Sequence, residues 1–479
     1  MFYPTTNTIA YSDHLFGQSF VLLPLFLIFN NPLIIQNIYI LSTFVIAATG
    51  MYLLCFHFTK SFWPSFLAGF MYSFSLYHID HAGQVSTTSI QYFPFIFLFL
   101  FKSMETKEKR NILLFWLFFT LNFLSTLYYG LFILVPLGIF AVINYKSWKF
   151  FLKCLLYGIP FFLVMIVASY PYVLFALENP TVKRTLDESG QRSAHLSDYF
   201  FPQFIHDRSL FLGIPTIIFT LVNIFRPVNK KITFFFFLTG FMCLLFSLGP
   251  YYDNIPLPYY FLYKFIPVFQ AIRVPARFGI VTIFCFSLLA GFGIFSVLKV
   301  FKNSYLKNTL IIASSFLITI QLIQHPVRFV KIPTIGSAPK VYSWLKEQTD
   351  GVVLELPLRH GYHSNPIEQQ VVLSYDAITE NDNYIAETYR LYFSTIHQKR
   401  MMNGYSSYFP TTYQDMATAM ETFPASYALE QIKKYNIRYI VVHKNQYGLR
   451  WNEVEQEIQN IKQLEKIQDF GSDTVYKLI

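Results

Sequence analysis

The triplet Ser12-Asp13-His14 is the first group of polar residues in this chain with the chemistry of a catalytic site. It stands immediately before an apolar segment, residues 15–29, that is brief and interrupted by a proline. An aspartate at such a place can act as a general base on a hydroxyl group at a membrane surface, with His14 beside it to contact the substrate. The alternative is that Asp13 caps a helix that begins near Leu15, a position that aspartate often fills.

A second polar group, His78-Ile-Asp80-His81, opens a stretch at residues 78–90 that contains no lysine or arginine. Two imidazoles and a carboxylate this close together are suitable ligands for a divalent cation, which would neutralise a phosphate leaving group. His78, Asp80 and His81 are therefore candidate metal ligands, although their spacing does not demand a metal and the sequence identifies no cofactor. The alternative is a solvated turn that caps a helix end.

A third group, Arg273-Val-Pro-Ala-Arg277, precedes a long apolar segment. The two arginines are four residues apart, so an α-helix that begins here would place both on one face. Two guanidinium groups at the depth of the lipid headgroups can hold a phosphate in bidentate fashion. The alternative is that both side chains only anchor the helix by reaching to the interface.

The segment from Glu178 to Arg208 mixes charges of both signs with His195 and His206. Its length suggests a lid over a substrate, but mobile polar loops have the same composition. The sequence contains no Walker loop, no Rossmann glycine pattern, no Gly-x-Ser-x-Gly elbow and no paired zinc motif.

Apolar segments that recur between residues 32 and 324 must position these polar groups. We expect about ten membrane helices there, because most of the segments are long enough to cross a hydrocarbon core of about 30 Å. The predicted spans are 32–56, 61–77, 88–101, 111–126, 128–145, 154–176, 209–225, 232–249, 278–298 and 308–324. The run 111–145 has basic residues on both flanks, which predicts a hairpin that turns near Ser125 to Gly130.

Lysine and arginine are concentrated in a few short connectors between these spans. The connectors are residues 102–110, 146–153, 226–231 and 299–307. The positive-inside rule predicts that they face the cytoplasm. Residues 1–31, 78–90, 177–208 and 250–277 are then expected outside the cell membrane, and the segment 15–29 is expected to be a helix in the outer interface.

The tail of the chain loses the apolar segments and predicts a soluble, extracytoplasmic α/β domain. The predicted strands are 352–356, 437–443 and 474–478, and the predicted helices are 338–347, 427–435 and 452–464. The predicted domains are an outer-face segment at 1–31, a transmembrane domain of about ten helices at 32–324 and the α/β domain at 333–479.

The composition is that of a polytopic α-helical membrane protein: 54% of the residues are hydrophobic, 20% aromatic and only 13% charged. A soluble protein with 55 phenylalanines and so few charges could not cover its surface. The net charge of +10 is explained by the cytoplasmic connectors, which can also contact anionic lipid headgroups. Nucleic-acid binding would need a basic stripe with interleaved aromatic residues on a soluble face, and the sequence has none.

Several stretches together resemble segments of a large group of bacterial membrane proteins in the GT-C glycosyltransferase superfamily. They are residues 3–15, 77–83, 266–278, 394–397 and 403–410. The resemblance covers essentially the entire chain, and its motifs are moderately specific for the group. It implies a GT-C-like fold, in which interfacial helices follow the first span and an α/β domain lies at the outer C-terminus.

The resemblance implies transfer of a sugar from a polyprenyl-phosphate donor to an envelope glycan, lipid or protein on the outer face of the membrane. Asp13 matches a polar position ahead of the family's second span and is the expected catalytic base. His14 and His81 are expected to contact the substrate, and His81 matches the first-loop histidine. Arg273 and Arg277 match an arginine motif before a late span and are the expected phosphate-binding pair.

One departure from the family pattern concerns the start of the chain. Such proteins usually begin with a transmembrane helix and an Asp-containing outer loop, so we expect this chain to lack that helix, the first half of that loop and the family's usual catalytic aspartate. The alternative explanation for an outward start is a short N-terminal tail that crosses the membrane unaided. Two other functional classes stay open: a lipid or polysaccharide transporter, and a non-catalytic scaffold that presents an outer domain. Charges are almost absent inside the predicted spans, which argues against ion-coupled transport.

Overall fold

The chain divides into two compact units. The computed structural model describes residues 1–179, 183–203, 205–323, 332–358 and 383–479. One unit, here the helical unit, is Asp13–Val327; the other, the C-terminal unit, combines Met1–Ser12 with Arg328–Ile479. This division differs from the predicted boundary at residue 31, because the first twelve residues pack with the end of the chain.

The helical unit contains a helix at every predicted span. Its α-helices, within the described residues, are α1 (Phe16–Phe26), α2 (Pro32–Thr59), α3 (Phe62–Ser73), α4 (Leu76–Asp80), α5 (Phe93–Thr106), α6 (Lys109–Ser125), α7 (Leu127–Phe132), α8 (Leu134–Ile143), α9 (Trp148–Glu178), α10 (Leu186–Gln191), α11 (Ile214–Phe225), α12 (Lys230–Ser247), α13 (Pro258–Phe265), α14 (Gly279–Val300) and α15 (Ser304–Ile323). Short 3-10 helices lie at Tyr145–Ser147, Leu196–Tyr199, Pro267–Ala271 and Pro275–Phe278, and a small hairpin pairs β1 (Tyr251–Tyr252) with β2 (Ile255–Pro256). The last residue of the predicted tenth span, Gln324, lies outside the described residues.

Among the described residues, four helical segments are long and apolar enough to cross a membrane. They are Pro32–Thr59, Tyr145–Glu178, Lys230–Ser247 and Pro275–Val300. The last of these contains α14, which is buried on nearly all sides. The backbones of α11 and α14 approach closely at Gly293, where a Cβ atom would lie only 1.9 Å from the Phe219 carbonyl oxygen. Any larger residue at this position would push α11 away from the centre of the unit.

The outer surface of the helical unit is apolar where it faces away from the core. On α9, Leu156 is 67% exposed and Val167 is 73% exposed. Exposed aliphatic side chains along a helix of this length would be costly in water and are favourable in lipid. The long apolar helices and their apolar outer surface fit a membrane protein.

The basic connectors lie together at one end of the helical unit. Lys153 Nζ donates a hydrogen bond to the Lys107 carbonyl oxygen at 2.9 Å, and Lys231 Nζ donates to Asn144 Oδ1 at 2.7 Å. The fourth connector follows α14, whose Ser296 donates to the Arg226 carbonyl oxygen. We call this end the basic end. The predicted hairpin in 111–145 is consistent with it, because the chain is extended at Thr126 between α6 and α7 and both ends of the hairpin reach the basic end.

Cysteine labelling can establish which side of the membrane the basic end faces. We expect that Asn229→Cys, exposed at the basic end, is protected from a membrane-impermeant maleimide in intact cells, whereas Ser197→Cys, exposed at the opposite end, reacts. Both variants should react after the cells are lysed, which controls for side-chain accessibility. Reaction of the Asn229→Cys variant in intact cells would contradict the predicted orientation.

The C-terminal unit contains a mixed four-stranded sheet. Its described strands are β3 (Val352–Leu356), β4 (Ile437–His443), β5 (Leu464–Asp469) and β6 (Asp473–Leu478), and its helices are α16 (Lys340–Glu347), α17 (Asn383–His397), α18 (Thr411–Met420), α19 (Ser426–Lys434) and α20 (Trp451–Gln459), with 3-10 helices at Thr8–Tyr11, Ile335–Ser337 and Lys444–Arg450. The strand order is β3-β4-β6-β5, with β3 and β4 parallel and the other neighbours antiparallel. The three predicted strands are confirmed; β5, α17 and α18 have no counterpart among the sequence predictions.

The first residues of the chain complete the core of this unit. Phe2 is fully buried, and its backbone N–H donates to the Asn403 carbonyl oxygen at 3.0 Å. Its ring meets Tyr413 edge to face and lies against Gly404, where a Cβ atom would come within 2.5 Å of the ring. Tyr3 continues the pairing by donating its N–H to the Met401 carbonyl oxygen. The start of the chain is therefore a structural part of the C-terminal unit.

Candidate functional site

Loops at the end opposite the basic end come together around Asp207. Its Oδ1 atom lies 2.8 Å from Arg277 Nε and 3.1 Å from His81 Nε2. Asp207 has a φ of 66°, a left-handed conformation that aspartate tolerates better than most residues. One carboxylate thus joins the stretches 78–90, 177–208 and 250–277, all of which the sequence predicts to be on the outer side.

The ion pair between Asp207 and Arg277 is largely buried, with side-chain exposures of 10% and 13%. Burial alone would raise the pKa of Asp207, but the Arg277 guanidinium and His81 outweigh it and hold the pKa well below its usual range. Removing one partner of such a pair typically costs about 3–5 kcal/mol, because the other charge is left buried. Arg277 and Asp207 therefore form a stable junction between the loops.

Asp13 lies at the same end and does not cap a helix. The residue before α1 is Leu15, and α1 receives no side-chain cap from the described residues. The carboxylate of Asp13 is instead stabilised by the hydroxyl groups of Ser86 and Thr126 and by the positive charge of Arg277. Burial raises the pKa of Asp13 above its ordinary value, and these three groups only partly oppose that rise. A carboxylate with a raised pKa is a stronger base than a solvated one.

His14 is held next to Asp13 in its neutral form. Its Nδ1 atom accepts a hydrogen bond from the backbone N–H of Phe16 at 3.2 Å, and its ring stacks on the Phe16 ring. Burial lowers the pKa of His14 to about 4. Because Nδ1 is the acceptor, Nε2 carries the proton, and this buried N–H has no hydrogen-bond partner among the described residues.

Tyr128, near the start of α7, links Asp13 to the arginines. Its hydroxyl accepts a hydrogen bond from the backbone N–H of Arg273 at 3.4 Å, and the Arg277 guanidinium lies 5.1 Å from its ring centroid. The charges of Arg277, Asp13 and Arg184 all act on its phenol group. The Asp13 carboxylate and the guanidinium groups of Arg184 and Arg277 therefore all act on one aromatic side chain, which also accepts the backbone N–H of Arg273.

Asp80, His81 and His206 form the candidate metal group in the described part of the chain. Their ligand atoms all lie within 4.8 Å of one another. The Nδ1–H of His81 donates to the Tyr77 carbonyl oxygen at 2.8 Å, and Nε2, the nitrogen that would bind a metal, lies 3.1 Å from Asp207 Oδ1. The donor set fits a divalent cation chemically.

The same three side chains also have an explanation without a metal. His206 Nδ1 lies 3.2 Å from Asp80 Oδ2. Burial would raise the pKa of Asp80, but His206 and His81 lower it overall; burial would lower the pKa of His206, but Asp80 and Asp207 raise it overall. An ion pair between Asp80 and protonated His206 is the competing arrangement.

His78 does not belong to this group. It is fully buried, with Nδ1 2.7 Å from the Ser73 carbonyl oxygen and Nε2 3.0 Å from the Thr43 hydroxyl. The predicted ligand set His78, Asp80 and His81 is therefore corrected to Asp80, His81 and His206. The reason lies in their partners: both ring nitrogens of His78 are engaged by Ser73 and Thr43, whereas His81, which follows the last residue of α4, contacts Asp207.

Arg273 and Arg277 do not share one face of an α-helix, which corrects the predicted local geometry. Arg273 precedes the 3-10 helix Pro275–Phe278, and α14 begins only at Gly279. Arg277 pairs with Asp207, whereas Arg273 Nε lies 3.0 Å from Glu188 Oε1 in α10. The two arginines therefore engage different carboxylates. Neither is a freely solvated interface anchor.

Asp13, His14, His81, Arg273 and Arg277 all lie at this end of the helical unit. The sequence predictions did not include several side chains that complete the arrangement. These are Ser86, Thr126, Tyr128, Arg184, Glu188, His206 and Asp207. Four of them lie in the segment from Glu178 to Arg208 that the sequence suggested as a lid, but no local signal shows which distant residues they contact.

Several solved structures align with the chain, and two of them are described here. One is ArnT from Cupriavidus metallidurans bound to undecaprenyl phosphate, with 8% identity, coverage of 92% of this chain and 83% of that chain, and a TM-score of 0.41. The other is the archaeal oligosaccharyltransferase AglB from Archaeoglobus fulgidus in complex with an inhibitory peptide and a dolichol-phosphate, with 12% identity and a TM-score of 0.43. The alignment covers 93% of this chain but 63% of the AglB chain.

At these identities and TM-scores, neither likeness assigns a role to a residue of this chain. No protein-family model matches the sequence, and no curated protein matches it.

Proposed function

We propose that the chain is a GT-C-type integral membrane glycosyltransferase that moves a sugar from a polyprenyl-phosphate donor to an envelope glycan, lipid or protein on the outer face. In this proposal Asp13 is the general base. It removes the proton from an acceptor hydroxyl, whose oxygen attacks the anomeric carbon of the sugar. The bond from that carbon to the phosphate oxygen breaks, and the polyprenyl phosphate leaves with the bonding electrons.

The observation that carries this proposal is the environment of Asp13. The carboxylate is withdrawn from water, has a raised pKa and is not used as a helix cap. It also lies within electrostatic reach of Arg277, so a base and a positive charge are available to one reaction centre. A base for the acceptor and a positive field for a departing phosphate are the two requirements of this displacement.

Other residues at this end are proposed to contact the substrates. The buried Nε2–H of His14 can donate to a sugar hydroxyl. His81, whose Nε2 lies 3.1 Å from Asp207 Oδ1, is also proposed to contact the substrate. If Asp80, His81 and His206 hold a divalent cation, it would supply positive charge to the phosphate. The C-terminal unit is proposed to bind the acceptor.

Sugar transfer by the purified full-length protein is the direct test. The protein would be reconstituted in liposomes with radiolabelled sugar on undecaprenyl phosphate, and free undecaprenyl phosphate and labelled acceptor would be measured over time. We expect protein-dependent release of undecaprenyl phosphate from at least one donor in a panel of sugars, with extracted envelope glycans, lipids and proteins supplied as acceptors. Movement of intact donor across the bilayer without cleavage would favour a transporter, and neither cleavage nor movement would favour a scaffold.

A further inference from the structure

Two arginines from different loops converge on one oxygen atom of Glu188. Arg184 NH1 lies 3.1 Å from Glu188 Oε1, and Arg273 Nε lies 3.0 Å from the same atom. The Glu188 side chain is 30% exposed, so an anion from the solvent can reach it. Two guanidinium groups arranged around one anionic oxygen are also the arrangement that binds a phosphate.

An ordinary helix ion pair explains only half of this geometry. Arg184 and Glu188 are four residues apart, a spacing that favours pairing. Arg273, however, comes from a loop 85 positions further along the chain than Glu188 and is not required for such a pair. Both pairs are less buried than the Arg277–Asp207 pair, so a stronger anion can displace Glu188 at a lower cost. The buried Arg277–Asp207 pair cannot open so cheaply.

The backbone around the two arginines is fixed, so only a side chain needs to move. The Arg184 N–H donates to the Gln270 carbonyl oxygen at 3.1 Å, and its own carbonyl oxygen accepts from the Tyr263 hydroxyl at 2.7 Å. Ser189, next to Glu188, donates to the Ile272 carbonyl oxygen. These bonds hold α10 against the segment that carries Arg273. The backbones that carry the two arginines therefore keep their spacing when the Glu188 side chain rotates away.

The pair also lies close to the candidate base. Tyr128 accepts the Arg273 N–H, and its phenol group is influenced by Arg184 and by Asp13. A phosphate held by Arg184 and Arg273 would therefore lie near Tyr128, which is also close to the Asp13 carboxylate. This placement is suitable for a sugar bound between a base and a phosphate.

We propose that Arg184 and Arg273 form the phosphate site for the lipid carrier and that Glu188 is a resident anion which the phosphate displaces. This inference rests on the proposed function, and it replaces the phosphate-binding pair expected from the sequence, Arg273 with Arg277, by Arg273 with Arg184. Glu188 then regulates occupancy of the site. Its carboxylate competes with other anions for the two guanidinium groups, and the carrier phosphate displaces it.

The direction in which one substitution changes the affinity for undecaprenyl phosphate tests this proposal. Glu188→Gln keeps the size of the side chain and removes the competing charge, so we expect undecaprenyl phosphate in nanodiscs to bind about three- to tenfold more tightly than to the parent. Arg184→Gln and Arg273→Gln should each weaken binding about tenfold or more. The matched control is Asp187→Asn, which makes the same change of net charge at an exposed neighbouring position and should leave affinity unchanged.

A structural role for Glu188 predicts the opposite sign. If Glu188→Gln binds the lipid more weakly or equally, or if Asp187→Asn gives the same gain, the proposal is wrong. Inorganic phosphate is the second probe: tightening for both probes assigns phosphate recognition to the pair itself, and tightening for the lipid alone assigns it to the carrier phosphate. Failure of the parent to bind undecaprenyl phosphate would instead contradict the proposed function, which keeps the two failures distinct.

Discussion

Replacing Asp13 by asparagine is expected to lower the rate of sugar transfer by roughly 10²–10⁴-fold, the usual contribution of a general base. Asparagine has nearly the same shape and can still contact Ser86 and Thr126, but it cannot accept the proton from the acceptor hydroxyl. The rate of release of undecaprenyl phosphate from a donor sugar is the measurement. The affinity for undecaprenyl phosphate itself should change little, because the phosphate is held by arginines.

The control for this substitution is Asp253→Asn, an exposed aspartate in the loop 250–277, which should leave the rate unchanged. The parent should also show a characteristic pH profile. Because the pKa of Asp13 is raised, the base becomes protonated at a higher pH than an ordinary aspartate, and the rate should fall on acidification before solvated aspartates titrate. A variant that keeps more than a tenth of the parental rate would exclude Asp13 as the base.

The membrane helices were predictable from the sequence because their signal is local. Long apolar runs predict helices, and the distribution of lysine and arginine predicts which connectors share a side. The hydrogen bonds from Lys153 to Lys107 and from Lys231 to Asn144 bring those connectors together as expected. The orientation in the membrane stays a prediction.

The candidate site was only partly predictable, because its contacts join residues far apart in the chain. Asp207 meets His81 across 126 positions and Arg277 across 70. One wrong prediction, an α-helix that includes both Arg273 and Arg277, could have been avoided from the sequence alone. Pro275 disfavours a helical conformation at the preceding residue, so a helix could begin only after Val274 and could not include Arg273.

In the C-terminal unit, too, the local sequence predicts some strands but not the packing of the core. The strands β3, β4 and β6 have the apolar, β-branched composition that predicts strands, whereas the exposed and charged β5 does not. The packing of Phe2 against Tyr413 joins the two ends of the chain and leaves no pattern that a window of neighbouring residues can detect.

The C-terminal unit also buries ionisable groups that the sequence analysis did not single out. His443, at the end of β4, has Nδ1 2.7 Å from Asp473 Oδ1 and Nε2 2.9 Å from Glu355 Oε2. With a carboxylate at each nitrogen, the ring donates from both and is an imidazolium. Burial would lower the pKa of His443, but Asp473 and Glu355 outweigh it and raise the pKa. The two carboxylates in turn have lowered pKa values despite burial.

Replacing His443 by leucine should destabilise this sheet by about 3–5 kcal/mol at neutral pH, because the buried Glu355 and Asp473 would lose the imidazolium that lies between them. Hydrogen–deuterium exchange of the amides in β4 and β6 of the full-length protein measures this loss as a lower free energy of opening. The matched control is Lys444→Leu, which removes a positive charge from the more exposed pair with Asp469 and should cost about 1 kcal/mol or less.

The pH dependence of the parent follows from the signs of the shifts. His443 has a raised pKa in the folded state, so its stabilisation is complete below the unfolded value of 6.5 and is lost as the pH rises through the folded pKa. Glu355 and Asp473 have lowered pKa values, so their stabilisation is present above the unfolded values of 4.5 and 3.8 and is lost as the pH falls. Protection should therefore be greatest between these limits and decline on both sides. The leucine variant should lose the alkaline decline that comes from His443; if it keeps that decline in full, His443 is not the charged centre of the network.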